Sequence, residues 1–220
     1  MFTAIAIGRR AAAARRAVLA CLVGLGLAAC VTVPEKSPDV PDTPDMAAWQ
    51  LHQQQLDQLG DWSFNGRIAV RDVQDEGWSA SLRWQQQGEH YDIQLSGALG
   101  QGAARIRGNG GSAVMEAADQ PPRVAANPEA LMQEQLGWHV PVRGLKFWLT
   151  GRPGPDPLDM QVVDGLGRLS RLEQDGWEVV YSRYEQVNGV ELPRKLELNN
   201  QHLRVRLVID QWSLDKKIDS

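Results

Sequence analysis

Apolar and polar residues alternate with a period of two in one short segment of the chain after another. In a typical segment Ile68 and Val70 alternate with Arg67 and Arg71. Such alternation predicts strands with one face in a core and the other in solvent, as in antiparallel sheets. The same pattern recurs in residues 78–84, 90–96, 104–107, 113–117, 166–172, 177–181, 196–198 and 203–210. We therefore expect a long antiparallel sheet, mostly a meander.

Three segments have helical spacing instead. Trp49, His52, Leu56 and Leu59 recur at intervals of three and four and predict a helix over residues 46–60. A capping Asn127, a proline and an early acid predict a second helix, which carries Leu131, Met132 and Leu136. A third helix near Pro141 presents Leu145, Trp148 and Leu149 on one side. The predicted fold is mainly β (α+β), with a few helices packed on one face of the sheet.

The first 29 residues differ from the rest. They contain four arginines, no acidic residue and an apolar run of 13 residues from Ala17 to Ala29. This is the composition of a secretory signal peptide, and the run is shorter than the ~20 residues of a membrane-spanning helix. It ends in Leu-Ala-Ala-Cys, the pattern of a lipobox, so residues 1–29 are predicted to be removed and Cys30 to be acylated. An ordinary signal peptide that leaves Cys30 as a free thiol is the alternative.

Cys30 would be the sole cysteine of the processed chain, since Cys21 lies in the signal peptide. Val31 follows it where an aspartate tends to retain lipoproteins in the inner membrane, and this predicts the outer membrane. Residues 31–45 contain four prolines and no aromatic residue, so residues 30–45 are predicted to be an acylated cysteine and a disordered tether. Residues 46–220 are then one folded domain.

Charge and motifs argue against several function classes. The net charge of −4 becomes more negative once the four arginines of the signal peptide are removed, which argues against nucleic-acid partners. The four histidines are far apart, so no metal site is predicted. No Gly-x-Ser-x-Gly motif is present. We expect no cofactor and no enzyme activity.

Tryptophan is unusually frequent. Eight are present beside only three Tyr and three Phe. Any one of them could belong to an ordinary core beneath the sheet. Together, large rings on one face of a concave sheet, with apolar helices as a cover, would suit a lipid-shaped cavity.

Leu99 is a single large apolar residue between Gly97, Gly100 and Gly102, at a turn where polar residues are usual. Its side chain either folds back onto the core or projects into the surroundings. A lone exposed leucine proves nothing, and the residues alone favour folding back.

The chain resembles the LolB family, the outer-membrane receptors of the bacterial lipoprotein-localisation pathway. The resemblance spans most of the processed chain, and it lies in the order and spacing of short motifs rather than in any one of them. These motifs are Trp49 with His52 to Gln54, Leu82 to Gln86, Ala98 to Gly100, Val140 to Pro153, Arg168 to Ser170, Trp177 to Tyr181 and Asp210 to Trp212.

The resemblance implies an incomplete antiparallel β-barrel closed by helices around an apolar cavity for acyl chains. It implies a monomer, lipid-anchored through Cys30 in the outer membrane, whose domain faces the periplasm. Its partners would be a periplasmic lipoprotein carrier similar to LolA, acylated lipoproteins as cargo, and outer-membrane lipid. Leu99 would then be the membrane-insertion residue, projecting from its loop. The family often has proline where Ala98 stands, so the geometry of this loop could differ.

We expect acyl chains to lie closest to Trp84 of the sheet and Trp148 of the helical cover. The further cavity residues expected are Leu145, Leu149, Trp78 and Leu82. Two other functions remain open: an anchored envelope hydrolase acting on glycan or lipid, and a passive scaffolding lipoprotein.

Overall fold

The computed structural model describes residues 43–97, 103–118, 120–136 and 141–215, all within the unit Lys36–Ser220. These residues form three helices and eleven strands. The helices are α1 (Met46–Asp57), α2 (Pro128–Leu136) and α3 (Val142–Trp148). The strands are β1 (Trp62–Asp72), β2 (Gly77–Gln87), β3 (His90–Gly97), β4 (Ala104–Asn109), β5 (Ser112–Ala117), β6 (Arg123–Ala125), β7 (Leu158–Val163), β8 (Leu169–Gln174), β9 (Trp177–Val187), β10 (Val190–Asn199) and β11 (Leu203–Leu214).

All eleven strands belong to one antiparallel sheet in the order β6-β5-β4-β3-β2-β1-β11-β10-β9-β8-β7. The sheet consists of two meanders, β1–β6 and β7–β11, joined where β1 pairs with β11. Within the described ranges no ladder joins β6 to β7, so the sheet does not close into a barrel. The predicted fold class, an incomplete antiparallel barrel with a few helices, is confirmed.

The junction between the meanders contains a β-bulge. The register of β1 against β11 shifts between Asn65 and Gly66, opposite Asp210. A Cβ on Gly66 would lie 2.4 Å from the backbone oxygen of Val208, so only glycine allows the strands to approach this closely. Bulges of this kind bend a strand and increase its twist, which curves the sheet at its centre.

Helix α1 packs at the end of the sheet where β1 begins. Trp49, His52 and Leu56 form its buried side. The ring nitrogens of His52 lie 3.1 Å from the backbone oxygen of Gly167, in the turn between β7 and β8, and 2.8 Å from that of Glu191 in β10. Because both partners belong to this end of the sheet, α1 closes it; we call it the closed end.

The turn between β7 and β8 corrects one prediction. Alternation had placed a strand over residues 166–172, but Leu166 lies exposed in the turn and β8 begins at Leu169. The reason is Asp164, whose Oδ1 accepts hydrogen bonds from the backbone nitrogens of Leu166 and Arg168 and stabilises a turn instead. Gly167 completes the turn with a φ of +70°.

Strands β6 and β7, which form the two sheet edges, were not predicted. Both are short, and β7 has two register irregularities against β8. A strand of three residues is too short for alternation to be recognised, and irregular pairing breaks the alternation of β7.

Gly167→Ala should destabilise the fold far more than Gly176→Ala. Both glycines have positive φ, +70° and +72°, which costs an L-residue about 1–2 kcal/mol. Only at Gly167 would the new Cβ meet α1, 2.4 Å from the backbone carbon of Ala48. We expect urea denaturation to show an additional loss of about 2 kcal/mol or more for Gly167→Ala. Equal losses would mean that α1 does not pack on this turn.

Candidate functional site

An apolar cavity of about 180 Å³ lies between one face of the sheet and α3. Every described residue that lines it is apolar. The sheet contributes Ile68, Val70, Trp78, Leu82, Trp84, Ile93, Leu95, Ile106, Met115, Trp177, Leu198, Leu203, Val205 and Leu207. The segment around α3 contributes Pro141, Val142, Leu145 and Leu149. Eight strands share this one small cavity, which requires the sheet to curve around it.

Strand register explains how these side chains converge. Val70 of β1 pairs with Trp78 of β2 on one side and with Val205 of β11 on the other. Paired residues in an antiparallel sheet point to the same face, so the three side chains lie side by side on the cavity wall. The period-two alternation of each strand repeats this arrangement along the wall.

Toward the closed end, a cluster of aromatic rings in tilted and edge-to-face contact replaces the cavity. The ring centroid of Trp62 lies 6.1 Å from that of Trp84 and 5.6 Å from that of Trp212. Phe64 packs edge-on against Trp212 at 5.2 Å. These rings are almost fully buried, and Trp84 connects them to the cavity wall.

The opposite end of the sheet is more open. Trp78 lines the cavity yet is 41% exposed, and Val73 in the neighbouring β1–β2 turn is 66% exposed. Gly97, the last residue of β3, pairs with Ala80 at this same end. The residues that join β3 to β4 therefore begin at the open end.

We call residues 141–149, which contain α3, the cover. Leu145 and Leu149 face the cavity. Trp148 faces away from it, and its indole Nε1 donates a 2.8 Å hydrogen bond to Oε1 of buried Gln174. The two sides of one short helix thus do different jobs: one covers the cavity and the other attaches the cover to β8.

Gln174 uses its whole amide in this attachment. Its Oε1 also accepts from the backbone nitrogen of Gly154 at 2.8 Å, and its Nε2 donates to the backbone oxygens of Gly154 and Asp156. Tyr181 adds a hydrogen bond of 2.9 Å from its hydroxyl to the backbone oxygen of Trp148. Burial raises the pKa of Tyr181, which keeps this hydroxyl protonated as a donor. We call Gln174 with these partners the clamp.

The structure brings Trp78, Leu82, Trp84, Leu145 and Leu149 to the cavity wall. Trp148 is not among the described residues that line it, because its ring is turned into the clamp. Leu99 and Cys30 lie outside the described residues. Whether acyl chains contact any of these residues stays a prediction.

Sequence reasoning missed the part of the wall that β1 and β11 form. Ile68, Val70, Val205 and Leu207 all line the cavity, and each lay on the apolar side of a predicted alternating strand. The signal was therefore available, but alternation does not show that β1 and β11, at opposite ends of the domain, become neighbours.

The described wall of the cavity presents apolar surface to a bound molecule rather than reactive groups. No acid, base or nucleophile is among the described residues that line the cavity. Charged side chains lie on the outer face of the sheet, where they pair across strands, as Arg67 does with Asp210 and Arg206 with Glu197. Exposed pairs of this kind contribute little stability each. What the cavity can do is remove an apolar chain from water.

Residues 43–97, 103–118, 120–136 and 141–215 contain neither a membrane-spanning helix nor a cluster of metal ligands. No helix there is long and apolar enough to cross a membrane. No group of three or more His, Cys, Asp or Glu in those ranges is placed to hold a metal ion.

Gln174→Leu should cost at least about 4 kcal/mol of unfolding free energy. Four polar groups, on Trp148, Gly154 and Asp156, would lose their partner, and each buried unpaired group costs about 1–3 kcal/mol. Gln86→Leu is the matched control: Gln86 is also buried, but its amide bonds Trp84 Nε1 and the backbone oxygen of Gly88. It should cost about half as much in the same denaturation experiment. A Gln174→Leu protein as stable as the Gln86→Leu protein would contradict the clamp.

A sequence model of the family described as "Outer membrane lipoprotein LolB" matches residues 60–212. The Outer-membrane lipoprotein LolB of Pseudomonas fluorescens is 47% identical over 166 residues, which cover 76% of this chain and 80% of that protein. The LolB protein of Pseudomonas aeruginosa is 46% identical over 168 residues, covering 76% and 82%. Among solved structures, a LolA superfamily protein from Nitrosomonas europaea is similar with a TM-score of 0.49 at 10% identity, covering 76% of this chain and 94% of that one. The chain belongs to the LolB family.

Proposed function

We propose that this protein accepts acylated lipoproteins from a soluble periplasmic carrier and places them in the outer membrane. Its family is that of an outer membrane lipoprotein, and LolB proteins are the lipoprotein receptors of the localisation pathway. The observation that carries the proposal is the cavity, whose described wall is apolar throughout and which approaches the surface at Trp78.

The apolar lining of the cavity is suited to cargo that carries acyl chains. Burying a methylene group contributes about 0.8 kcal/mol relative to water, in a protein cavity or in a bilayer alike. Transfer from cavity to membrane is therefore close to balanced and needs no nucleotide. The cavity has to bind acyl chains more tightly than the carrier does and less tightly than the membrane.

The two alternatives explain the cavity less well. A passive scaffold has no need for an enclosed apolar space beside an exposed tryptophan, since empty apolar cavities destabilise a fold. A hydrolase needs a nucleophile or paired carboxylates beside the bound substrate. The described wall of this cavity carries neither, and the LolB family is not known for enzyme activity.

The chain is placed in the outer membrane by its family, and we propose that Cys30 carries the anchor. Lipidation at the end of a signal peptide supplies two or three acyl chains, which hold a protein on a bilayer durably. The domain would then face the periplasm, where the carrier delivers cargo.

We further propose that Leu99 brings the open end of the sheet to the bilayer. The flanking residues support this, because Gly97 ends β3 beside the exposed Trp78 end of the cavity. Entry of one leucine into lipid contributes about 1.5–3 kcal/mol, which is small beside a diacyl anchor. Its task would therefore be to position the cavity rather than to hold the protein on the membrane.

Val205→Glu should weaken binding of a fluorescent fatty acid by about thirtyfold or more. A carboxylate forced to stay near an apolar chain costs at least about 2 kcal/mol. Val208→Glu is the control: it is on the same strand and also partly buried, but it does not line the cavity. Fluorescence titration should show unchanged affinity for Val208→Glu. Equal affinities for both variants would show that acyl chains bind elsewhere.

Leu99→Glu should leave unfolding free energy within about 0.5 kcal/mol of the parent, as expected for an exposed position. The variant should still accept lipoprotein from the carrier, while delivery to liposomes should fail because a carboxylate resists entry into hydrocarbon. Leu51→Glu, at an apolar position 63% exposed on α1, is the control that should deliver normally. Lost stability would instead identify Leu99 as a core residue, and normal delivery would remove its proposed role.

A further inference from the structure

The tether, residues 31–45, joins the folded domain at its closed end. The backbone nitrogen of Asp45, the residue before α1, donates a 3.2 Å hydrogen bond to the backbone oxygen of Asp164, directly after β7. Its Oδ1 accepts a second bond of 2.9 Å from the backbone nitrogen of Ala48, which caps the helix. Asp45 is therefore fixed beside the β7–β8 turn, and the chain that precedes it starts from the closed end.

The cavity approaches the surface at the other end of the sheet. Trp78 and Val73 are exposed there, and β3 ends beside them at Gly97. Strand β1 runs from Trp62 at the closed end to Asp72 at the open end and is 11 residues long. At ~3.3 Å per residue it measures about 36 Å, and a tilt of ~45° in a curved sheet would still leave about 25 Å between the ends.

The length of the tether is sufficient for this distance. Its 15 residues reach at most about 50 Å when fully extended. The four prolines favour the polyproline II conformation, in which the same length would span about 46 Å. A lipid anchor at Cys30 and the open end of the sheet can therefore lie at the same bilayer, but only when most of the tether runs back along the domain.

We propose that the tether lets the domain work in two orientations, and that its length sets whether the open end can reach the bilayer in which Cys30 is anchored. With the tether slack, the closed end lies toward that bilayer and the open end points into the periplasm, where a carrier can reach the cavity. With the tether extended, the domain is turned over and the open end meets the membrane. This inference rests on the proposed function, since it takes delivery to occur at the open end.

The two orientations give different bilayers as the target. An inverted domain delivers to the bilayer that holds its own anchor, which we call delivery in cis. A domain whose open end points outward delivers to a separate vesicle, in trans. The assay uses liposomes that carry the anchored protein, a second, differently labelled population without it, and a LolA carrier loaded with a fluorescent triacylated lipopeptide.

Deleting residues 34–42 leaves six tether residues, which reach about 20 Å, less than the distance between the two ends. We expect delivery in cis to slow at least tenfold while delivery in trans stays within twofold of the parent. Scrambling residues 34–42 is the control: it keeps the length and the proline content, so both rates should stay within twofold. Undiminished delivery in cis, or loss of delivery in both directions, after the deletion would overturn the inference.

Moving the anchor tests the same geometry without changing the length of the tether. The processed chain with Cys30→Ala has no cysteine, so a single new cysteine can be coupled to a maleimide lipid. Val73→Cys places the lipid at the open end and Leu51→Cys places it on α1 at the closed end; the two parent side chains are 66% and 63% exposed.

We expect the protein anchored at Val73→Cys to deliver in cis and the protein anchored at Leu51→Cys to deliver in trans, each at least tenfold faster than in the other direction. Equal ratios of cis to trans delivery for the two proteins would overturn the inference. An anchored parent that passes lipopeptide to neither bilayer would instead refute the proposed function.

Discussion

Pairing between β1 and β11 is the interaction on which the rest of the domain depends. Every other ladder in the sheet joins strands that are neighbours in sequence, and these can form locally as hairpins. Among the described strands, β1 with β11 is the pairing that joins the two meanders, and Arg67 and Asp210, which pair across it, are 143 residues apart. Without this ladder the wall of the cavity would be two separate sheets, each with an apolar face in water.

The two covering helices divide the concave face between them. Helix α1 is attached through His52 to backbone oxygens at two places on the sheet, and its buried side chains join the apolar core. The cover is attached through Trp148 and leaves its other side facing empty apolar space. A fold can maintain such a space only when the surrounding elements are held by other contacts, since unfilled volume lowers stability. The clamp and the bulge at Gly66 supply those contacts.

Much of the fold followed from periodicity, because inward and outward positions of a strand differ so clearly in polarity. Alternation placed Trp78, Leu82 and Trp84 on one apolar face of β2, and that face is part of the cavity wall. Helical spacing was less decisive for the cover. At about 100° per residue, Trp148 and Leu149 lie on either side of Leu145, and the sequence does not show what neighbours each side. Gln174 determines which way the Trp148 ring points. It is a polar residue at an inward position of β8 and supplies the acceptor that a buried indole needs. Long-range pairing such as β1 with β11 leaves no mark on local sequence and could not be predicted either.

The position of that ladder also sets the order in which the domain can assemble during export. A chain crossing the inner membrane amino end first presents β1 long before β11, and hairpins β1 to β5 can form within microseconds of emerging. The free edge of β1 must then wait, unpaired and beside an apolar face, until β11 arrives. Exposed strand edges of this kind invite pairing with other chains. The domain is therefore most prone to aggregate in the interval before its last strand is delivered, and the periplasm has to protect a nearly complete sheet rather than an extended chain.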